Sequence, residues 1–251
     1  MAVHVTDDGP VRTVVLDRPE VRGAVDGEHA ALLREAFEEL DSRADLSVGI
    51  LTGSGGHFCA GADLKAVSTG AMPVFTPGEG PGPMGPTRLR LSKPVVAAVE
   101  GHAVAGGLEL AVWCDLRVAS ATAVFGVYCR RWGVPLIDGG TIRLARLVGH
   151  GRAMELVVTG RGVGADEALQ IGLANRVTPA GEALATAQEW AQEIAALPQL
   201  CLRHDRLSLL EQWGLDEDAA IANEWQHGMA SLAEGLGGAQ RFVAGEGRHG
   251  S

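Results

Sequence analysis

Aromatic side chains are scarce in this chain: five Phe, five Trp and one Tyr among 251 residues, or 4%. That scarcity argues against a surface that stacks nucleic-acid bases. It leaves Ala, Val and Leu to fill a core drawn from a hydrophobic fraction of 46%, which suits tight, layered α/β packing. Basic residues are also short in number, 21 Lys and Arg against 31 Asp and Glu, for a net charge of −10. A global field of that sign disfavours nucleic acid or an anionic membrane as the main partner. The four cysteines, Cys59, Cys114, Cys129 and Cys201, form no CxxC pair, and no His cluster has metal-ligand spacing. Free thiols in a reducing compartment are the simplest account. No apolar run reaches about 18 residues and no charged-then-apolar leader is present, so a soluble, cytoplasmic protein is expected. No GxSxG elbow appears, and Gly160-Arg-Gly162-Val-Gly164 lacks the GxGxxG spacing of a nucleotide loop.

What remains is an alternation of short β-branched runs and amphipathic stretches. Val11–Asp17 (VRTVVLD) reads as a strand ended by Arg18-Pro19. Leu32, Leu33, Ala36, Phe37 and Leu40 then recur at helical spacing, and LSVGILTG reads as the next strand. Strand, helix, strand predicts parallel pairing with helices outside. The same alternation continues through PVVAAVEG (strand), GGLELAVWCD (helix) and LRVAS (strand). Beyond Gly181 the pattern is helical only, with a soft boundary near Pro198, so residues 1–197 are expected as the core and residues 198–251 as a helical region. Residues 70–86 (GAMPVFTPGEGPGPMGP) are dense in Gly and Pro and predict a mobile loop. The tail FVAGEGRHGS is expected to be loose.

Two glycine-rich segments carry the chemistry. HFCAGADL (His57–Leu64) follows one strand pattern, and EGHAVAGGLELAVWCD (Glu100–Asp115) follows another. Glycines at such turns let the backbone approach a ligand and leave N–H groups free to point at it. Two N–H donors converging on one oxygen make an oxyanion hole. Glu109 stands three residues beyond Gly106, one helical turn away.

At these residues the chain resembles the crotonase superfamily, the enoyl-CoA hydratase/isomerase family. Matching blocks recur in the family order at Val14–Asp26, at the two segments above, at Trp132–Gly149 and at Thr159–Val177. The resemblance implies an α/β fold, a crotonase-like spiral of repeated ββα units with a C-terminal helical region that helps form a homotrimer or a dimer of trimers. It implies an enzyme acting on an acyl-CoA substrate, with CoA as part of the substrate and no permanently bound cofactor. By the same resemblance the N–H groups of Ala62 and Gly106 form the oxyanion hole, and Glu109 is a catalytic acid/base. Arg22, Ala24, Ala60, Asp63 and Leu64 are expected along the CoA moiety. Arg18, Lys65, Arg88 and Arg90 are further basic residues near these segments. The segment containing Gly70–Pro86 would border the acyl pocket.

One position departs from the family. Hydratases carry a second catalytic glutamate where this chain has Cys129. A thiol with an ordinary pKa of about 8.5 is a poor substitute for a carboxylate, although Arg130 and Arg131 would lower that value if they lay near the sulfur. Asp138, nine residues on, stands where some superfamily members use an aspartate, and is expected to pair with Glu109. The bland alternative is that Asp138 caps the helix beginning near Gly140. Three outcomes stay open: hydration, double-bond isomerisation or C–C cleavage by the same enolate, and a catalytically weak acyl-CoA-binding oligomer.

Overall fold

The sheet starts one strand earlier than the sequence pattern predicts. Val3–Asp8 (β1) pairs antiparallel with Val11–Leu16 (β2), with Val3 opposite Leu16. Only Val3 of β1 is buried, so the strand offers no alternating apolar face to a pattern search. A computed structural model describes residues 3–245. The chain clusters into two compact units, Met1–Gln192 and Glu193–Ser251.

In the first unit, Gly27–Ser42 (α1) is capped by the Asp26 carboxylate, which accepts from His29 N–H. It leads into Val48–Gly53 (β3), and Leu64–Ser68 (α2) follows the first glycine turn. Val95–Val99 (β4), His102–Val104 (β5), Gly106–Trp113 (α3), Leu116–Ser120 (β6) and Val124–Gly126 (β7) come next. Gly140–Val148 (α4), His150–Thr159 (α5), Gly162–Gly164 (β8), Ala165–Gln170 (α6), Arg176–Thr178 (β9) and Ala183–Ala195 (α7) complete the series. The main sheet has the order β1-β2-β3-β4-β6-β9, and every pairing after the first is parallel. The parallel pairing expected from strand–helix–strand order is therefore present. β3 and β4 are buried almost throughout, as a sheet covered on both faces requires. In a second sheet, β5-β7-β8, each strand is three residues long; AVFGV reads in the sequence as a short extended piece and matches β7, while β5 and β8 are too short to show a pattern.

Alanine contributes as much to the core as leucine: Ala97, Ala103, Ala111, Ala119 and Ala168 are buried beside Val14, Leu33, Val99 and Phe125. Buried charge is matched by polar partners. Arg117, 2% exposed, donates to the carbonyls of Leu173 (2.6 Å) and Cys114 (2.7 Å) at element ends.

Residues 70–85 form no helix or strand and lead into a 3-10 turn at Pro86–Arg88, yet the mobile loop expected from the composition of residues 70–86 describes only part of them. Residues 82–87 are buried. The Arg88 guanidinium ties them in by donating to the carbonyls of Phe75 (2.8 Å), Gly80 (3.2 Å) and Pro81 (3.2 Å). Side-chain anchoring of backbone carbonyls supplies the order that Gly and Pro composition hides.

The second unit contains Gln199–Glu211 (α8) and Glu217–Ala244 (α9). Cys201 N–H donates to Glu234 (2.8 Å), and a His204–His227–Glu211 chain links the two helices, with Nδ1–Nδ1 at 2.9 Å and Nε2–Oε2 at 2.9 Å. Leu209, Trp213, Ile221, Trp225 and Leu236 remain exposed. Phe242–Ala244, expected as loose tail, close the last turn of α9 before Gly245 at φ +110°. The rest of that tail lies outside the described residues. Among the described residues, no helix is long and apolar enough to cross a membrane.

Candidate active site

The two glycine turns meet. Cys59 N–H donates to His102 O (2.9 Å) and Val104 N–H to Cys59 O (3.0 Å), which docks the first turn on β5. On its other side Val25 N–H donates to Gly61 O (2.8 Å), and Asp63 N–H donates to Val25 O (2.8 Å). This parallel bridge uses the groups flanking Ala62, so Ala62's own N–H points away from Val25. Gly106 opens α3, and its N–H belongs to the helix's first turn, where donors have no intrahelical partner. Contact between the turns is close enough to require glycine. A Cβ on Gly61 (φ +98°) would lie 2.8 Å from Ala105 Cβ and 2.9 Å from Gly106 N. Ala105 itself sits at φ 55°, ψ −125°, a conformation costing an L-residue about 1–3 kcal/mol.

A cavity of 810 Å³ opens beside this junction. Of the residues expected from sequence, Arg22, Ala60, Ala62, Leu64, Gly106, Glu109 and Asp138 line it. Ala24 and Asp63 do not. Ala24 gives its carbonyl to Arg18 (2.7 Å), while Asp63 caps α2 through Lys65 N–H (3.0 Å) and faces Arg18 at 3.3 Å. Arg18 and Arg88 are thus occupied within the protein. His102 lines the cavity and lies against His57, Nδ1 to Nδ1 at 3.3 Å. The other walls are mostly apolar, with Met72, Met84, Trp132, Val134 and Ile137 prominent. Met72 and Met84 belong to the segment expected to border the acyl pocket, whereas sequence reading gave Trp132, Val134 and Ile137 no place in it, since apolar side chains in an irregular segment carry no periodicity to mark a wall.

Glu109, 2% exposed, rises from the first turn of α3 to the cavity floor. One carboxylate oxygen accepts from the backbone N–H groups of Asp138 and Gly140, each at 2.9 Å. These bonds favour the ionised form, but burial outweighs them and the Asp138 carboxylate adds to it, so the pKa is pushed up to about 7. Asp138 is 3% exposed. It does not cap α4, whose N-cap is Gly139 without a side-chain bond. Its carboxylate accepts instead from Thr87 Oγ1 and from Met84 N–H (3.2 Å). Burial raises its pKa above the usual aspartate range despite these donors and the charges of Arg88 and Arg143.

Cys129 also lines the cavity and is buried. The neighbouring arginines do not lower its pKa. Burial, then the Glu109 charge, push it up, and the opposing effect of Arg130 is smaller. Arg131 instead stacks on the Tyr128 ring, 3.8 Å from its centroid. The upward shift works against a thiolate nucleophile or base at Cys129. Among the described residues, no group of three His, Cys, Asp or Glu is placed to hold a metal ion.

The chain that carries this site has known relatives. Residues 7–229 match the family described as enoyl-CoA hydratase/isomerase. The chain is 36% identical over 230 residues to the enoyl-CoA hydratase EchA19 of Mycobacterium tuberculosis, covering 88% of this chain and 85% of that one. It is 38% identical over 195 residues to the carnitinyl-CoA dehydratase of Salmonella typhi, covering 77% and 74%. The crystal structure of the enoyl-CoA hydratase EchA1 from Mycobacterium marinum superposes with a TM-score of 0.91 at 33% identity, covering 97% of this chain and 96% of that one. The expected crotonase-like fold is therefore the fold this chain has, and the chain belongs to the enoyl-CoA hydratase/isomerase family.

Proposed function

We propose that this protein binds a 2-enoyl-CoA thioester with its carbonyl oxygen between the N–H groups of Ala62 and Gly106, and that Glu109 moves the proton in an enolate-forming step. The observation that carries this reading is the Glu109 carboxyl group, buried at the cavity floor and titrating near 7. A general acid/base works best with its pKa near the operating pH. Negative charge built on the thioester oxygen needs preorganised donors, and one such donor contributes about 2.7–4 kcal/mol. Arg22, Ala60 and Leu64 line the cavity on the first-turn side, where the CoA moiety enters, and CoA comes and goes as part of the substrate.

Asp138 is the second acid/base group. Two raised carboxyl pKa values in one cavity fit a pair that holds one proton between them. In the hydration direction one group activates water and the other delivers a proton, a chemistry in keeping with relatives named hydratase and dehydratase. Asp138→Asn is expected to lower turnover about 10²-fold or more with little change in KM. Unchanged kcat alongside a dead Glu109→Gln would remove Asp138 from the reaction.

Double-bond isomerisation is the second reading, favoured by Cys129, which leaves a thiol where hydratases have a carboxylate. The deciding experiment follows loss of the conjugated thioester absorbance with crotonyl-CoA and with trans-2-decenoyl-CoA. The longer chain is included because 810 Å³ of largely apolar cavity exceeds what a four-carbon acyl group fills. Turnover of either substrate supports hydration. Binding of both without turnover moves the assignment to isomerisation or C–C cleavage.

The exposed apolar faces of α8 and α9 are read as the surface covered by further copies of the chain in a trimer. Light scattering of the purified protein is expected to give three or six times the 26.1 kDa chain mass; a monomer would refute this.

A further inference from the structure

Arg143 is a buried-side cation with no role in the reading above. It leaves the first turn of α4 and runs beneath Asp138 and Glu109. Nη1 donates to Asp138 O (2.8 Å), and Nη2 donates to Thr87 O (2.7 Å). Those two carbonyls belong to the two segments that hold the carboxyl groups. The first segment supplies the Asp138 and Gly140 N–H donors to Glu109. The second supplies the Met84 N–H and Thr87 hydroxyl donors to Asp138. One planar guanidinium therefore spans both, a fork that a point-charge ammonium does not reproduce. The fit is tight, since a Cβ on Gly139 would come 2.5 Å from Arg143 Nη1. In these bonds Arg143 meets carbonyls and no carboxylate, while its charge acts on both Glu109 and Asp138.

We propose that Arg143 is a positioning residue and the counter-ion of the site: it clamps the 84–88 and 138–140 segments together and keeps one of the two buried carboxyl groups ionised while the other carries a proton. One arginine charge acting on a carboxylate and a carboxylic acid offsets the single ionised group, which lowers the cost of burying it. The pair presents a base and an acid to the substrate at once. This inference rests on the assignment of Glu109 and Asp138 as the acid/base pair.

The test pairs a substrate-free titration with steady-state kinetics. The infrared carbonyl band of a protonated carboxyl group is followed against pH in the full-length protein and in Arg143→Gln, Arg143→Lys and Glu109→Gln. In the wild type the band disappears with a midpoint near 7, the value toward which Glu109 is shifted. Arg143→Gln removes the cation and keeps a donor, so the midpoint is expected to rise by about one pH unit. Arg143→Lys keeps the charge and loses the fork; its midpoint is expected to stay within a few tenths while kcat falls at least tenfold with KM little changed. Because Lys preserves the buried charge, this variant serves where Gln does not fold. An unmoved midpoint in Arg143→Gln, or equal midpoints and equal kcat loss in Gln and Lys, overturns the proposal and leaves Arg143 a purely structural residue. Loss of the neutral-pH band in Glu109→Gln is expected. A band that survives there overturns the assignment of Glu109 instead, so the two failures are separable.

Discussion

Glu109→Gln is expected to lower kcat/KM by about 10²–10⁴-fold while making the protein more stable above pH 7. The catalytic half follows from removing the only cavity carboxyl group seated in the first turn of α3, next to Gly106. The stability half follows from linkage. Folding moves the Glu109 pKa up from an ordinary 4.5 to about 7. Below 4.5 the group is protonated in both states and costs nothing. Between 4.5 and 7 the unfolded chain releases its proton first, so rising pH favours unfolding; above 7 the penalty is constant. A shift of that size corresponds to roughly 3 kcal/mol. Gln carries no such penalty, and its amide oxygen still accepts from the Asp138 and Gly140 N–H groups. Urea unfolding at pH 4 and pH 8 checks this: the variant should match the wild type at the lower pH and exceed it at the higher. A variant with normal activity and no gain at pH 8 would mean that Glu109 is neither buried in solution nor catalytic.

Gly61→Ala is expected to cost about 10²–10³-fold in kcat and about 1–3 kcal/mol of stability. The stability loss arises because alanine is forced to φ +98° with its methyl group against Ala105 and the Gly106 nitrogen. The catalytic loss is larger than that strain alone implies. The methyl group presses on the donor atom itself, and an oxyanion donor displaced by a few tenths of an ångström no longer points at developing charge. KM should change less than kcat, since ground-state binding of the CoA moiety does not use this junction. Steady-state kinetics with parallel thermal melts separates the two effects. A kcat within tenfold of wild type would show that the donors lie elsewhere.

The legible part of this site was the part written in side chains and glycines. Ala62 and Gly106, in their glycine turns, and Glu109 are recognisable because close approach and acid/base chemistry restrict residue type at those positions, and the structure gathers them at one cavity. Asp138 was legible as a residue but not in its bonding: helix capping was the reasonable alternative, and Thr87 and Met84 take the carboxylate instead. The holding of Glu109 was not legible at all. Its partners are main-chain amides 29 and 31 residues away, and a backbone N–H has no letter in a sequence. Arg143 was overlooked for the same reason, since it bonds carbonyls. In the fold, long buried strands such as β3 and β4 announced themselves. The exposed β1 and the three-residue β5 and β8 of the second sheet did not, because tertiary pairing rather than local pattern makes them strands.

The assembly of the cavity floor from residues 62, 84, 105, 106, 109, 129 and 138 has a kinetic corollary. Those residues are far apart in the chain, and the parallel pairings of the strands around them, β3 with β4 and β5 with β7, form only after long loops close. A refolding chain can therefore regain its helices while the reacting groups are still strangers to one another. Turnover is a late reporter of folding in such a molecule, and helical content an early one.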